Sequence, residues 1–202
     1  MKTKLFLLTM LFIFLVSCTK EEEYIDYSGD EELLEIILYK NTPRIDKNTD
    51  GRISKSEAKE VTILNVSGCR INYVWRDLSC EYPSLIELNM SNVYFGPLEY
   101  GYPTFCLNQA YNLRRLDCSN IRSMNVCIGG GQLNINAPVL EYLDCSNNSL
   151  KVLDISCFPN LKTLKCDNNK DLKTLYVSIN QKQSDIVKAV KSSYPQIKVE
   201  IK

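Results

Sequence analysis

Apolar residues recur along this chain in short blocks at nearly regular intervals. Between Leu140 and Asn169 the pattern L-x-x-L-x-C-x-x-N occurs twice, as Leu140–Leu143–Cys145–Asn148 and Leu161–Leu164–Cys166–Asn169. Looser copies precede it: Val61–Leu64–Val66–Cys69–Ile71, Leu85–Leu88–Met90–Val93–Phe95, and Leu113–Leu116–Cys118–Ile121, with Asn120 one place early. The five starts lie 24, 28, 27 and 21 residues apart. A repeat of that length cannot bury its apolar side alone, so the period predicts an α/β solenoid of about five irregular repeats with short parallel strands over residues 61–183. The last two repeats carry second apolar clusters, Leu150–Leu153–Ile155 and Leu172–Leu175–Val177, which predict second short strands. Residues between the buried positions form three rows on the exposed side of the sheet. These are Ile63, Glu87, Arg115, Tyr142 and Thr163; Asn65, Asn89, Asp117, Asp144 and Lys165; and Ser67, Ser91, Ser119, Ser146 and Asp167.

The pattern changes at both ends. Leu33, Leu34, Ile37 and Leu38 share one face of a helix predicted over Asp30–Lys40, with acidic residues at its positive N-terminus and Pro43 stopping it near Thr42. After Ser184, a predicted N-cap, Asp185–Lys191 reads as a helix broken before Pro195, and Ile197–Lys202 alternates like a strand. Residues 184–202 are therefore expected to cap the open end of the solenoid. Residues 30–60 are expected to cap the other end. Thr19–Gly29 is acidic without apolar period, and residues 18–29 read as a flexible tether.

Lys2, Lys4 and the apolar run Leu5–Val16 have the form of a signal segment, too short for a membrane span. The run ends in Leu15-Val16-Ser17-Cys18, which resembles the lipobox of bacterial lipoproteins. That resemblance implies removal of residues 1–17, lipidation of Cys18, and an exported protein held at the outer membrane. The Lys20-Glu21-Glu22-Glu23 run resembles an acidic signal for display on the cell surface, and a solvated linker explains it equally well.

Asp46-Lys47-Asn48-Thr49-Asp50-Gly51-Arg52-Ile53-Ser54-Lys55-Ser56-Glu57 matches the twelve-residue EF-hand loop. The oxygen ligands for one Ca2+ would be Asp46, Asn48 and Asp50, the Arg52 carbonyl, Ser54 through water, and both oxygens of Glu57, with Gly51 at the sharp turn. A second reading of the same residues is a helix start, Ser54 as N-cap and Glu57 at the capping-box position. The loop is solitary, and Pro43 keeps an entering helix from running into it.

Leu143-Asp144-Cys145-Ser146-Asn147-Asn148 and Leu153-Asp154-Ile155-Ser156 resemble the LxxLDCSNNxLxxLDVS repeats of bacterial surface lipoproteins with internalin-like leucine-rich repeats. That group often carries a D-x-N-x-D-G-x-I-S-x-x-E loop just before the repeats. The resemblance covers most of the mature chain, most closely the last three repeats. It implies a leucine-rich-repeat solenoid for display and binding rather than catalysis.

Composition narrows the chemistry. The 202 residues hold 24 cationic and 24 acidic side chains and no histidine. Loss of residues 1–17 removes Lys2 and Lys4 and no acid, leaving a net charge of −2. There is no basic field for nucleic acid, and Ser-His, Cys-His and His-metal chemistries are excluded. Cys118, Cys145 and Cys166 share one inward repeat position and read as buried thiols. Export permits disulfides among Cys69, Cys80, Cys106, Cys127 and Cys157. The insertion Val93–Tyr111 holds Tyr94, Phe95, Tyr100, Tyr102, Phe105 and Tyr111. These aromatics either pack over their own loop or contact a ligand. Gly129-Gly130-Gly131 lacks the lysine and spacing of a phosphate loop.

The candidate ligand-binding residues are Tyr94, Tyr100, Tyr102, Asp117, Tyr142 and Asp144. The expected function is non-enzymatic recognition of a protein or glycan by a membrane-anchored module. Two alternatives are a structural subunit of an envelope complex and, with no acidic pair marked by a motif, a carboxylate-based glycan hydrolase.

Overall fold

The computed structural model describes residues 22–72, 77–95, 106–121 and 133–202. The signal segment, Cys18, Tyr100, Tyr102, Phe105, Cys127 and the triple glycine lie outside the described residues.

The fold is α/β, with parallel strands in sheets. Its main sheet has five short strands in the order β1 (Ile63–Asn65), β3 (Glu87–Asn89), β6 (Arg115–Asp117), β8 (Tyr142–Asp144) and β10 (Thr163–Lys165). Every pairing is parallel and in register. Leu64, Leu88, Leu116, Leu143 and Leu164 form the inward column, and the first two rows expected at the surface flank it residue for residue. Side chains alternate across a strand, so one leucine per three-residue strand suffices to face each strand to the core. Of that column only Leu164, at the end of the sheet, is less than fully buried.

The same turn follows the first four of these strands. Asn65, Asn89, Asp117 and Asp144 each accept through Oδ1 from the backbone N–H two residues on, at 2.9–3.1 Å. Gly68, Asn92, Asn120, Asn147 and Asn168 then adopt positive φ, from 49° to 74°. Glycine and asparagine tolerate that region best. Asn120 therefore belongs to this turning column. The buried asparagine column one residue later holds Asn148 and Asn169, and Ile121 takes its place in the third repeat.

The second clusters of the last repeats form β9 (Val152–Asp154) and β11 (Thr174–Val177) as expected. A parallel sheet has the order β12-β11-β9, where β12 is Lys198–Ile201. Two smaller parallel pairs join β2 (Arg70–Ile71) to β4 (Tyr94–Phe95) and β5 (Cys106–Leu107) to β7 (Asn134–Ile135).

At the N-terminal side α1 (Glu31–Lys40) buries Leu33, Ile36, Ile37 and Leu38, each contributing about 1.5–3 kcal/mol of gross apolar transfer. Leu34 is partly buried. The residue after this helix closes the sheet edge. The Asn41 side chain accepts from the Asn65 N–H at 2.7 Å and donates to the Asn65 carbonyl at 3.1 Å, in place of a neighbouring strand. α2 (Lys55–Glu60) and the short α3 (Leu78–Glu81) follow.

The C-terminal helix α4 (Asp185–Ser193) starts at Ser184, whose hydroxyl accepts from the Val187 N–H. The C-terminal unit is hydrogen-bonded to the end of the main sheet through Tyr194, which donates to the Cys166 carbonyl at 2.7 Å and accepts from the Asn169 N–H at 3.0 Å. Its strand pairs with β11, however, and β10 stays the last strand of the main sheet, with Leu161 and Leu164 partly buried. The expected cap thus extends the smaller sheet rather than closing the larger one.

Candidate functional site

The loop Asp46–Glu57 folds on hydrogen bonds among its own candidate ligands. Asp46 Oδ2 accepts from the Gly51 N–H at 3.1 Å, Asn48 Oδ1 from the Asp50 N–H at 3.0 Å, and Asp50 Oδ1 from the Arg52 N–H at 2.9 Å. Gly51 has φ +77°, which a side chain would strain. Asp50 is held ionised below the usual carboxylate range. Burial works against this, and the Arg52 N–H, the Tyr24 hydroxyl and the Asn48 amide outweigh it.

The helix-start reading is realised in the same residues. Ser54 and Glu57 form a reciprocal capping box at α2. Glu57 Oε2 accepts from the Ser54 N–H at 2.9 Å and the Ser54 hydroxyl at 2.8 Å, and Oε1 from the Lys47 N–H at 2.8 Å. These donors overcome the opposing effect of burial and lower the pKa of Glu57. Both oxygens of Glu57 are so engaged, and no group of three or more Asp, Glu or Cys side chains converges as a metal cage among the described residues. Capping does not account for Asp46. This side chain is only 3% exposed, and its Oδ1 is buried without a hydrogen-bond partner. Such an atom costs about 1–3 kcal/mol unless something fills its place. A carboxylate oxygen at the first position of a loop already lined by Asn48 and Asp50 fits a hard cation.

On the main sheet, the register assembles a cluster across three strands. The Arg115 guanidinium lies 3.6 Å from the Tyr142 ring centroid, and Lys165 Nζ lies 5.6 Å from it. Lys165 also approaches Asp144 Oδ2 at 3.6 Å. The Tyr142 hydroxyl, then Asp144, push the Lys165 pKa up. Arg115 and Lys165 were not among the residues expected to bind, although the spacing placed both in the exposed rows. Two expected residues are less available than the pattern implies. Asp144 is 7% exposed, and its Oδ1 accepts from the Ser146 N–H and hydroxyl. Asp117 Oδ1 is engaged by Ser119 in the same way. Both carboxylates build turns first.

Of the aromatic insertion, Tyr94 is exposed with Arg70 5.4 Å from its ring, Phe95 is buried, and Tyr111 is exposed. Cys118, Cys145 and Cys166 are buried, as the repeat position predicts. The Cys118 and Cys145 thiols donate to the Asp144 and Lys165 carbonyls of the next strand at 3.3 and 3.4 Å. Burial pushes the pKa of Cys166 and Cys69 up to about 12, which leaves them neutral thiols. Cys69, Cys80 and Cys157, three of the residues for which disulfides were open, are free.

The segment read as tether contributes to this region too. Tyr24, Ile25, Asp26 and Ser28 line a cleft of about 620 Å³ with Lys55 and Lys59 of α2 and Asp77 and Glu81 at α3. Tyr27 is buried, and its hydroxyl is hydrogen-bonded to that of Tyr82. The aromatic and aliphatic residues Tyr24, Ile25 and Tyr27 supply apolar surface that the acidic composition conceals.

A scan against protein-family models gives no match, and a search of curated proteins gives none.

Proposed function

We propose that the chain is a leucine-rich-repeat solenoid that binds a protein or glycan without transforming it, anchored in the outer membrane through Cys18 and carrying one Ca2+ in the loop Asp46–Glu57. Support for the solenoid comes from the coincidence of the sequence period with the strand order of the main sheet. One leucine column and one positive-φ column recur at each pass, and one turn type follows the first four strands. The observation that carries the binding reading is the cluster of Arg115, Tyr142 and Lys165, built from neighbouring strands on the exposed side of a rigid sheet. Arginine and tyrosine are the residue types that most often supply binding energy at interfaces. Replacing Arg115 and Lys165 together with alanine is expected to weaken capture on a glycan array or from envelope and host extracts by at least roughly tenfold, with the unfolding midpoint retained. Undiminished capture by that variant refutes the face as the binding site.

Asp46 Oδ1 supports the cation. Asp46, Asn48 and Asp50 would bind through side chains, Arg52 through its carbonyl, Ser54 through water and Glu57 through its carboxylate. The ion supplies positive charge to three carboxylates, and ligation costs Glu57 its bonds to Ser54. Calcium at a hundredfold excess over its dissociation constant is expected to stabilise the fold by about 2.7 kcal/mol. The pair Asp46→Ala and Glu57→Ala should remove that increment, whatever the loss of the capping box does to the calcium-free midpoint. A wild-type protein whose midpoint ignores calcium ends this reading.

The alternative of a structural subunit draws support from the open edge of β10, where Leu161 and Leu164 are incompletely covered. Stoichiometric co-purification of one envelope protein would favour it over a transient receptor.

A further inference from the structure

A solitary cation loop leaves the backbone between its seventh and ninth positions without the partner that a second loop would provide. Here the segment just before α1 takes that place. Tyr24 pairs with Ser54 in an antiparallel bridge. The Ile25 N–H donates to the Ile53 carbonyl at 2.9 Å, and the Lys55 N–H to the Glu23 carbonyl at 2.7 Å. The side chains continue the contact. Glu22 accepts from the Ser56 hydroxyl at 2.6 Å, and Glu23 is paired with Lys55 at 2.6 Å. The Tyr24 hydroxyl donates to Asp50 Oδ2 at 3.1 Å, and the Arg52 guanidinium stacks 3.5 Å from the Tyr24 ring centroid.

Resting on the cation reading above, we infer that residues 22–28 form a strap whose docking and divalent-cation binding strengthen one another, with Tyr24 as the residue that positions Asp50. The sign follows from the oxygen atoms. Asp50 Oδ2 accepts from both Tyr24 and the Asn48 amide nitrogen. When Asn48 turns its oxygen to a cation its nitrogen withdraws, and Oδ2 regains a lone pair while Tyr24 still fixes the carboxylate. A donor outside the ligand shell that orients a ligating group commonly contributes 10–100-fold in metal affinity. The Arg52 stack also holds a positive group on an aromatic face, and the Ile25–Ile53 bond fixes the backbone between the Arg52 carbonyl and Ser54. Linkage is reciprocal: whatever the docked strap adds to cation affinity, the cation adds to docking of the strap.

The strap leads directly back to Cys18. With an anchor there, the four residue steps from Cys18 to Glu22 span at most about 14 Å. Releasing the strap as far as Asp30 would extend that reach to about 40 Å. The cation then sets how far the folded part stands from the membrane.

Calorimetric Ca2+ titration of the wild type and Tyr24→Phe, with amide hydrogen exchange followed at Ile25 and Lys55, tests this linkage. Tyr24→Phe should bind Ca2+ about tenfold more weakly. In the wild type, Ca2+ should slow exchange at both amides by a comparable factor. If the wild type binds Ca2+ but Tyr24→Phe binds equally well and exchange at Ile25 and Lys55 is unchanged, the strap is a structural edge only and the inference fails while the cation reading stands. If the wild type binds no Ca2+, both fall.

Discussion

Replacing Asn169 with alanine is expected to cost about 2–5 kcal/mol of folding stability, enough to bring a domain of ordinary stability close to its threshold. Asn169 is fully buried, and its amide ties the last two passes of the chain together. Nδ2 donates to the Cys145 carbonyl at 3.0 Å and the Cys166 carbonyl at 2.8 Å, while Oδ1 accepts from the Leu150 N–H at 3.0 Å. The losses are unequal. The Cys145 carbonyl keeps Asn148 as a donor, and the Cys166 carbonyl keeps the Tyr194 hydroxyl. The Leu150 N–H has no such substitute, and a buried orphan donor costs about 1–3 kcal/mol by itself. Asn169→Asp sharpens the test, because the size is kept while an acceptor replaces the donor facing two carbonyls. It should be most destabilising where the new carboxyl is ionised, and less so as falling pH protonates it. Asn168→Gly, one residue away, should be nearly neutral. Asn168 sits at φ 59°, which glycine adopts freely, and its exposed amide bonds only Asn147. Denaturant midpoints of the three variants at two pH values decide the matter. Equal effects at positions 168 and 169 would contradict the roles given to the two asparagine columns.

These columns show what was legible in the chain. Leucine spacing foretold the strands because a three-residue strand has one inward position, so Leu64, Leu88, Leu116, Leu143 and Leu164 align whatever the loops do. The misplaced Asn120 was a different matter. Neighbouring asparagines serve two unlike ends, positive φ and buried hydrogen bonding, and the letter does not distinguish them. Glu57 was ambiguous for a related reason, since a carboxylate three residues after Ser54 suits both a capping box and a cation, and the structure displays the first. The strap was concealed by composition. Its apolar cluster of Tyr24, Ile25 and Tyr27 is too short to outweigh the glutamates around it, and its partner at Ile53 lies far along the chain. Arg115 and Lys165 stand in the right rows, and the spacing sets Arg115 next to Tyr142 within its row; that Lys165 reaches the same ring from the neighbouring row was not in the pattern. The ends of the sheet were least legible. Asn41 closes β1 with a single side chain, and β12 pairs with β11 rather than with β10, both decided by tertiary packing rather than by pattern.

The open edge leads to the other large expected effect. Leu143→Ala should destabilise the fold by about 2–5 kcal/mol, whereas Leu164→Ala, at the same position of the last strand, should cost roughly the lost transfer of a partly covered side chain, about 1 kcal/mol. Leu143 is fully buried in β8, between β6 and β10, so its removal leaves a cavity bounded on both sides by strands that cannot close it. Leu164 has a strand on one side only, and water or its neighbours can fill the space it leaves. In the proposed solenoid, stabilised by nearest-neighbour interfaces, a central substitution also weakens two interfaces where an end substitution weakens one. Urea unfolding of both variants measures the difference directly. Equal losses at Leu143 and Leu164 would mean that β10 is covered in solution. A dependence of the Leu164→Ala midpoint on protein concentration would identify the cover as a second copy of the chain, because only binding between copies makes apparent stability depend on concentration.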